Sequence, residues 1–125
     1  MDQIEEAKRY IDNAREILSE KAQKQDGYYY DAKYVRMAGN TAYNGILVAL
    51  DSFLGKKTKG RKDVTWYKQG LAKMDKKILN SFDAAYSTLH LALGYDGNPS
   101  ADVAKAGLKE ADKIIDWVEQ RMAVA

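Results

Sequence analysis

The sequence predicts a single all-α domain spanning residues 1–125, built as an antiparallel up-and-down bundle of four long helices. Three observations carry this expectation. Apolar residues recur at steps of three and four over long stretches, glycine and proline gather at a few points, and no segment offers a strand with a plausible pairing partner. A chain of 125 residues with 46% hydrophobic and 30% charged residues is long enough for one unstapled core.

The first segment, about 2–25, opens with Asp2 followed three residues later by Glu5, a variant of the capping box. Ile4, Ala7, Ile11, Ala14, Leu18 and Ala22 then keep the helical step, and Asp26-Gly27 ends the run. The second segment, about 30–54, is apolar around most of its circumference through Val35, Ala38, Ala42, Ile46, Ala49, Leu50 and Phe53, which makes it the central helix. Gly39 and Gly45 inside it point to close approach by neighbouring helices, since each costs about 1 kcal/mol against alanine.

The third segment, about 64–93, carries Leu71, Met74, Ile78, Phe82, Ala85, Leu89 and Leu93 in unbroken period. Asn80-Ser81 offers a local N-cap, and a break there would raise the count to five helices. The closing helix follows Asn98-Pro99-Ser100 and carries Val103, Gly107, Ala111, Ile114, Ile115, Val118 and Met122. Val64-Thr65-Trp66-Tyr67 is too short for a strand and reads as a helix start.

Charge and composition narrow the function. Twenty Lys and Arg against eighteen Asp and Glu leave a net charge of +2, too small for a global field that would draw in nucleic acid or an anionic membrane. Cysteine is absent, which removes thiolate chemistry and cysteine metal sites. The longest aliphatic run, Ile46 to Leu50, is far short of a membrane span, and the acidic N-terminus lacks the apolar stretch of a secretory signal. A cytoplasmic protein with no membrane association is expected.

Catalytic machinery is hard to assemble from these residues. The one histidine, His90, stands between Leu89 and Leu91 on a helix, where a structural imidazole is expected. It cannot supply the paired Glu-x-x-His of a bundle di-metal centre, and Ser87 occupies the position three before it. No catalytic residue, no metal site and no cofactor is expected.

Three features suit binding. The loop Gly55 to Lys62 holds five cations, Lys56, Lys57, Lys59, Arg61 and Lys62, followed by Trp66 and Tyr67. It lacks the spacing and the strand of a phosphate-binding loop, so it reads either as a contact to phosphates and bases or as a solvated connection. Tyr28, Tyr29, Tyr30 and Tyr34 cluster at the start of the second helix, as an interface or as packing over the bundle end. Lys33, Arg36, Asn40, Asn44 and Asp51 fall within about 80° on that helix. The stripe is either the wet side of the helix or the polar wall of a groove, with Arg36, Asn40, Asn44 and the neighbouring Tyr43 as ligand contacts.

The tyrosine-rich start of the second helix and the run Ala38-Gly39-Asn40-Thr41-Ala42-Tyr43-Asn44-Gly45-Ile46-Leu47 resemble the HEPN-like helical bundles, and within them a small family known from Bacteroidetes. Phe82-Asp83-Ala84-Ala85-Tyr86-Ser87-Thr88-Leu89-His90-Leu91 and Gly94-Tyr95-Asp96-Gly97 extend the likeness over about residues 5–120. The resemblance implies a bundle that commonly dimerises and that, in relatives, cleaves RNA or partners a nucleotidyltransferase. The nuclease branch carries Arg-x(4–6)-His; here Ala85, Ala84 and Asp83 occupy the matching positions before His90, so that motif is absent. The expected function is a non-catalytic binding or partner protein of HEPN-like type, homodimeric or bound to a protein such as a nucleotidyltransferase, with nucleotide or RNA association as an extension. The alternatives are an enzyme of unrecognised type and a purely structural subunit.

Overall fold

A computed structural model describes residues 2–55, 60 and 62–123. These residues are 79% helical and form the expected all-α bundle, with five α-helices. The first, α1, spans Gln3–Glu20; the Asp2 side chain accepts from the Glu5 N–H at 2.8 Å and so satisfies one of the free amides of the first turn. Its buried face is Ile4, Ala7, Ile11, Ala14 and Leu18, the periodic stripe of the sequence.

The helix stops at Glu20, five residues short of the expected end, and Asp26-Gly27, expected to end it, forms a turn instead. Lys24–Gln25 (β1) pairs antiparallel with Tyr28–Tyr29 (β2), Lys24 opposite Tyr29 and Gln25 opposite Tyr28. Asp26 and Gly27 lie at φ 55° and 84°, the positive pair that a tight two-residue hairpin turn demands. Two such short strands are marginal alone. The ribbon is held from outside, Tyr29 N–H donating to the Pro99 carbonyl at 2.8 Å and Ala101 N–H to the Gly27 carbonyl at 2.9 Å.

Helix α2 spans Ala32–Leu54 with Asp31 as its N-cap, and it packs against α1, the third helical unit and the last helix. The expectation of a central helix therefore holds. Gly45 explains how α1 comes so near: a Cβ there would lie 2.8 Å from the Tyr10 Cβ and 3.1 Å from the Ala7 carbonyl oxygen.

The third segment is broken, at a different place from Asn80-Ser81. Helix α3 spans Val64–Ala72, and the amides of Met74 and Asp75 both donate to the Leu71 carbonyl at 2.9 Å, closing its last turn. Asp75 then accepts from Lys77 and Ile78 N–H and starts α4, Lys76–Ala85, which contains Asn80 and Ser81 in its interior. Met74, assigned to the core by its period, is exposed because the break turns it outward. Without interruption α4 continues into a π-helical segment, Tyr86–Tyr95, whose wide turns are reported by the Asp96 N–H donating five residues back to Leu91. Ten residues of π-helix are uncommon, since the form usually appears as a single turn.

The last helix, α5, spans Ala101–Ala123 behind an Asn98-Pro99-Ser100 corner in which Ser100 Oγ accepts from the Val103 N–H. Its face of Ala104, Gly107, Leu108, Ala111, Ile114, Ile115 and Val118 closes the core, while Met122 is exposed. Cross-pairs fix the directions. Arg36 meets Tyr95, Lys8 meets Glu119 and Arg121 meets Asp75, so α1, α2, α4 with its π extension, and α5 alternate up and down, with α3 as an added short helix. Phe82, Ile11, Ile46, Leu50, Leu71, Leu89, Leu93 and Ile114 fill the interior. Among the described residues no helix is long and apolar enough to cross a membrane.

Candidate functional site

The polar stripe on α2 is occupied by work inside the protein. Arg36 donates through Nε to the Tyr95 carbonyl at 3.3 Å and through Nη2 to the Asp96 carbonyl at 3.5 Å, and Asn40 donates to the Gly94 carbonyl at 3.3 Å. Three successive carbonyls at the end of the π-helix thus find donors on α2, which answers the shortage of partners that every helix C-terminus has. The guanidinium lies on Gly97, whose φ is +66° and where a Cβ would sit 3.1 Å from the Arg36 Cζ. All three of Arg36, Asn40 and Asn44 remain exposed to water, as the wet side of a helix would be.

Tyr43 departs from the expectation of a stacking face beside this stripe. It is buried, 8% exposed, and its ring stacks on His90 at 4.7 Å between centroids and meets Tyr86 edge-on at 5.9 Å. Burial, reinforced by the nearby Tyr86, pushes its phenol up to about 12. At 100° per residue Tyr43 lies about 20° from the buried Leu50, at the edge of the core face of α2, and Phe82, Tyr86 and His90 cover it there. His90 is itself partly buried, and its Nδ1 is enclosed without a hydrogen-bond partner.

Of the basic loop, Lys56, Lys57, Lys59 and Arg61 lie outside the described residues. Lys62 is committed: it pairs with Asp51 at 3.0 Å and sits 5.1 Å above the Trp66 ring. The same Asp51 oxygen accepts from the Tyr67 hydroxyl at 2.7 Å, so the far end of the stripe is a closed polar knot. Burial raises the Tyr67 phenol strongly, and the carboxylate beside it raises it further. Among the described residues no group of three or more His, Asp or Glu side chains is placed to hold a metal ion.

The tyrosine cluster divides. Tyr29 is half-buried and its phenol is raised by that burial, whereas Tyr28 and Tyr30 are 57% and 66% exposed. A third phenol that the residue reading did not single out, Tyr95, is 78% exposed at the same end of the bundle. The Tyr28–Ser100 bridge and the Arg36–Tyr95 bond join the ribbon, α2 and the end of the π-helix there. The backbone under each ring is fixed: Tyr30 N–H donates to Ala22, and Tyr95 is gripped through its carbonyl. Only the aromatic residue just before the Asp96-Gly97 turn hinted at Tyr95 in the sequence. Three large amphipathic rings are thus exposed at this end of the bundle on an ordered backbone.

Comparison with known proteins agrees with this fold. Residues 2–120 match the family described as Domain of unknown function (DUF5618). Among curated proteins none matches the chain. Among solved structures, a protein of unknown function from Dyadobacter fermentans is similar, with 59% sequence identity, a TM-score of 0.94 and 95% of each chain covered. The chain belongs to the DUF5618 family.

Proposed function

We propose that this DUF5618 protein is a non-catalytic binding protein of HEPN-like type that engages a second protein chain through its tyrosine-bearing end. The observation that carries the reading is the exposure of Tyr28, Tyr30 and Tyr95 together on a backbone that α2 and the Pro99 corner hold in place. Tyrosine is enriched at the centre of protein interfaces because its ring buries much apolar area while the hydroxyl keeps a hydrogen bond. The polar side chains that could have served chemistry are engaged elsewhere: Arg36 and Asn40 on backbone carbonyls, Asp51 with Tyr67 and Lys62. The family match and the Dyadobacter relative support the Bacteroidetes side of the resemblance; the HEPN-like side rests on the sequence likeness and the alternating bundle.

The first occupant to test is a second copy. Light scattering at tens of micromolar is expected to give twice the 14.1 kDa chain mass, reduced to the monomer by the triple change Tyr28→Ala, Tyr30→Ala, Tyr95→Ala. A monomer for the unaltered chain would overturn homodimerisation, and a dimer indifferent to the three changes would move the interface elsewhere. Thermal shift against nucleotides and oligonucleotides tests nucleic-acid association, because a specific ligand raises the melting temperature by mass action.

A further inference from the structure

A second surface, away from the exposed tyrosines, has the form of a small-molecule site. Between α1 and α5 runs a groove of about 940 Å³, near the top of the range of about 300–1,000 Å³ for such sites. Its floor is apolar, made by Leu18, Ala104 and Leu108, with the half-buried ring of Tyr29 beside them. Each end is marked by a structural feature. At one, Arg15 and Asp112 form a two-point bridge across the helices at 2.6 and 3.4 Å; at the other stands the ribbon with Lys24 and Tyr29. From Ala101 to Asp112 along α5 is about 16 Å at ~1.5 Å per residue, room for a compact molecule.

The charges around this floor are unbalanced. The side chains of Lys105 and Lys109, one turn apart on α5, and of Lys24 on the ribbon make no ion pair or hydrogen bond with the described residues. Arg15 and Asp112 neutralise one another, which leaves Asp102 as the one carboxylate on the rim to set against three ammonium groups. The Tyr29 phenol, raised by burial, keeps its proton at neutral pH and is available as a donor. We propose that the groove binds an organic anion with an apolar body, the carbon skeleton lying on Leu18 and Leu108 and the carboxylate or phosphate head meeting Lys105, Lys109 and Lys24.

Fluorescence titration with anilinonaphthalene sulfonate, an anionic aromatic probe, tests this on the full chain. Saturable one-to-one binding is expected, with the neutral N-phenylnaphthylamine binding at least about tenfold more weakly. The exposed pair Lys105→Gln, Lys109→Gln should weaken the sulfonate by about tenfold or more and leave the neutral probe unchanged. Ser19→Trp, an exposed rim position, should block both probes with the circular dichroism spectrum intact. Decanoate and decyl phosphate as competitors then separate a carboxylate from a phosphate head. Equal affinity for the two probes, binding untouched by both sets of substitutions, or no displacement by either competitor would overturn the proposal. The triple tyrosine variant should bind the sulfonate normally, which keeps this result independent of the partner surface.

Discussion

Gly39 of α2 and Leu93 of the π-helix touch so closely that a Cβ on the glycine would come within 2.6 Å of the Leu93 Cβ. The backbone amide of Gly94 stands 2.7 Å away on the same side, so the neighbour cannot simply rotate clear. Gly39→Ala is expected to destabilise by about 1–3 kcal/mol through overpacking, outweighing the ~1 kcal/mol of helix propensity it would gain. Urea denaturation checks it. A midpoint raised above that of the unaltered protein would show that α2 and the π-helix can separate without cost.

Asp75 marks the true start of α4. Its carboxylate is held below the usual range, chiefly by the Lys77 N–H that it accepts. The contribution is therefore present at neutral pH and fades as acid protonates the group. Asp75→Ala should lower the melting temperature by roughly 3–6 °C, and Asp75→Asn by less, since an amide oxygen still caps. The same exchange at Asn80, inside the helix, should have little effect.

Alkaline stability should fall through the buried phenols. Tyr43 is shifted from an ordinary 10.0 to about 12, and Tyr67 is raised in the same direction. For a group whose folded value is raised, the stabilisation is complete below the unfolded value and disappears as pH climbs towards the folded one. Unfolding free energy should be insensitive to these tyrosines up to about pH 10 and then decline, by up to about 1.4 kcal/mol per pH unit for each such group. Tyrosinate absorbance should show part of the nine tyrosines titrating only as the fold is lost, and Tyr43→Phe should flatten the decline.

Arg36→Ala should cost about 0.5–1 kcal/mol, because the two bonds to Tyr95 and Asp96 are long and exposed to water. The loss should be local. Amide hydrogen exchange is expected to accelerate around residues 94–98 while the core of α2 keeps its protection, and Arg36→Lys should restore little, since a single ammonium cannot serve both carbonyls. Unaltered exchange there would mean that the π-helix end holds without the guanidinium.

Much of this was legible from period alone. The stripe Ile4, Ala7, Ile11, Ala14, Leu18 is the buried face of α1, and the greasy circumference of α2 matches its neighbours on several sides. What escaped were features decided by one or two residues. Asp26-Gly27 signals a hairpin as readily as a helix stop, and contacts from Pro99 and Ala101, some seventy residues on, select the hairpin. Asp75 and Asn80-Ser81 were equally good caps; the Leu71 carbonyl, by taking both the Met74 and Asp75 amides, chose the first. Tyr43 was placed with the stripe although, at 100° per residue, it lies about 20° from the buried Leu50; on which side of that edge it falls is settled by Tyr86 and His90, which only the folded chain brings against it. The bonds that Arg36 and Asn40 make were not legible for a related reason: which carbonyls lack partners is a property of the folded chain.

The pairs Lys8–Glu119 and Arg15–Asp112 make the first helix a neighbour of the last, across separations of 111 and 97 residues. On the ribosome, α1 therefore leaves the exit tunnel long before the helix that seals its outer flank exists. It can pair early with α2, the adjoining hairpin partner, where Ile11 meets Gly45, but the Leu18 side of the helix waits for α5. Between the completion of α2 at Leu54 and the start of α5 at Ala101 the newborn chain passes through a stage at which a chaperone would find an apolar strip that the finished protein no longer displays.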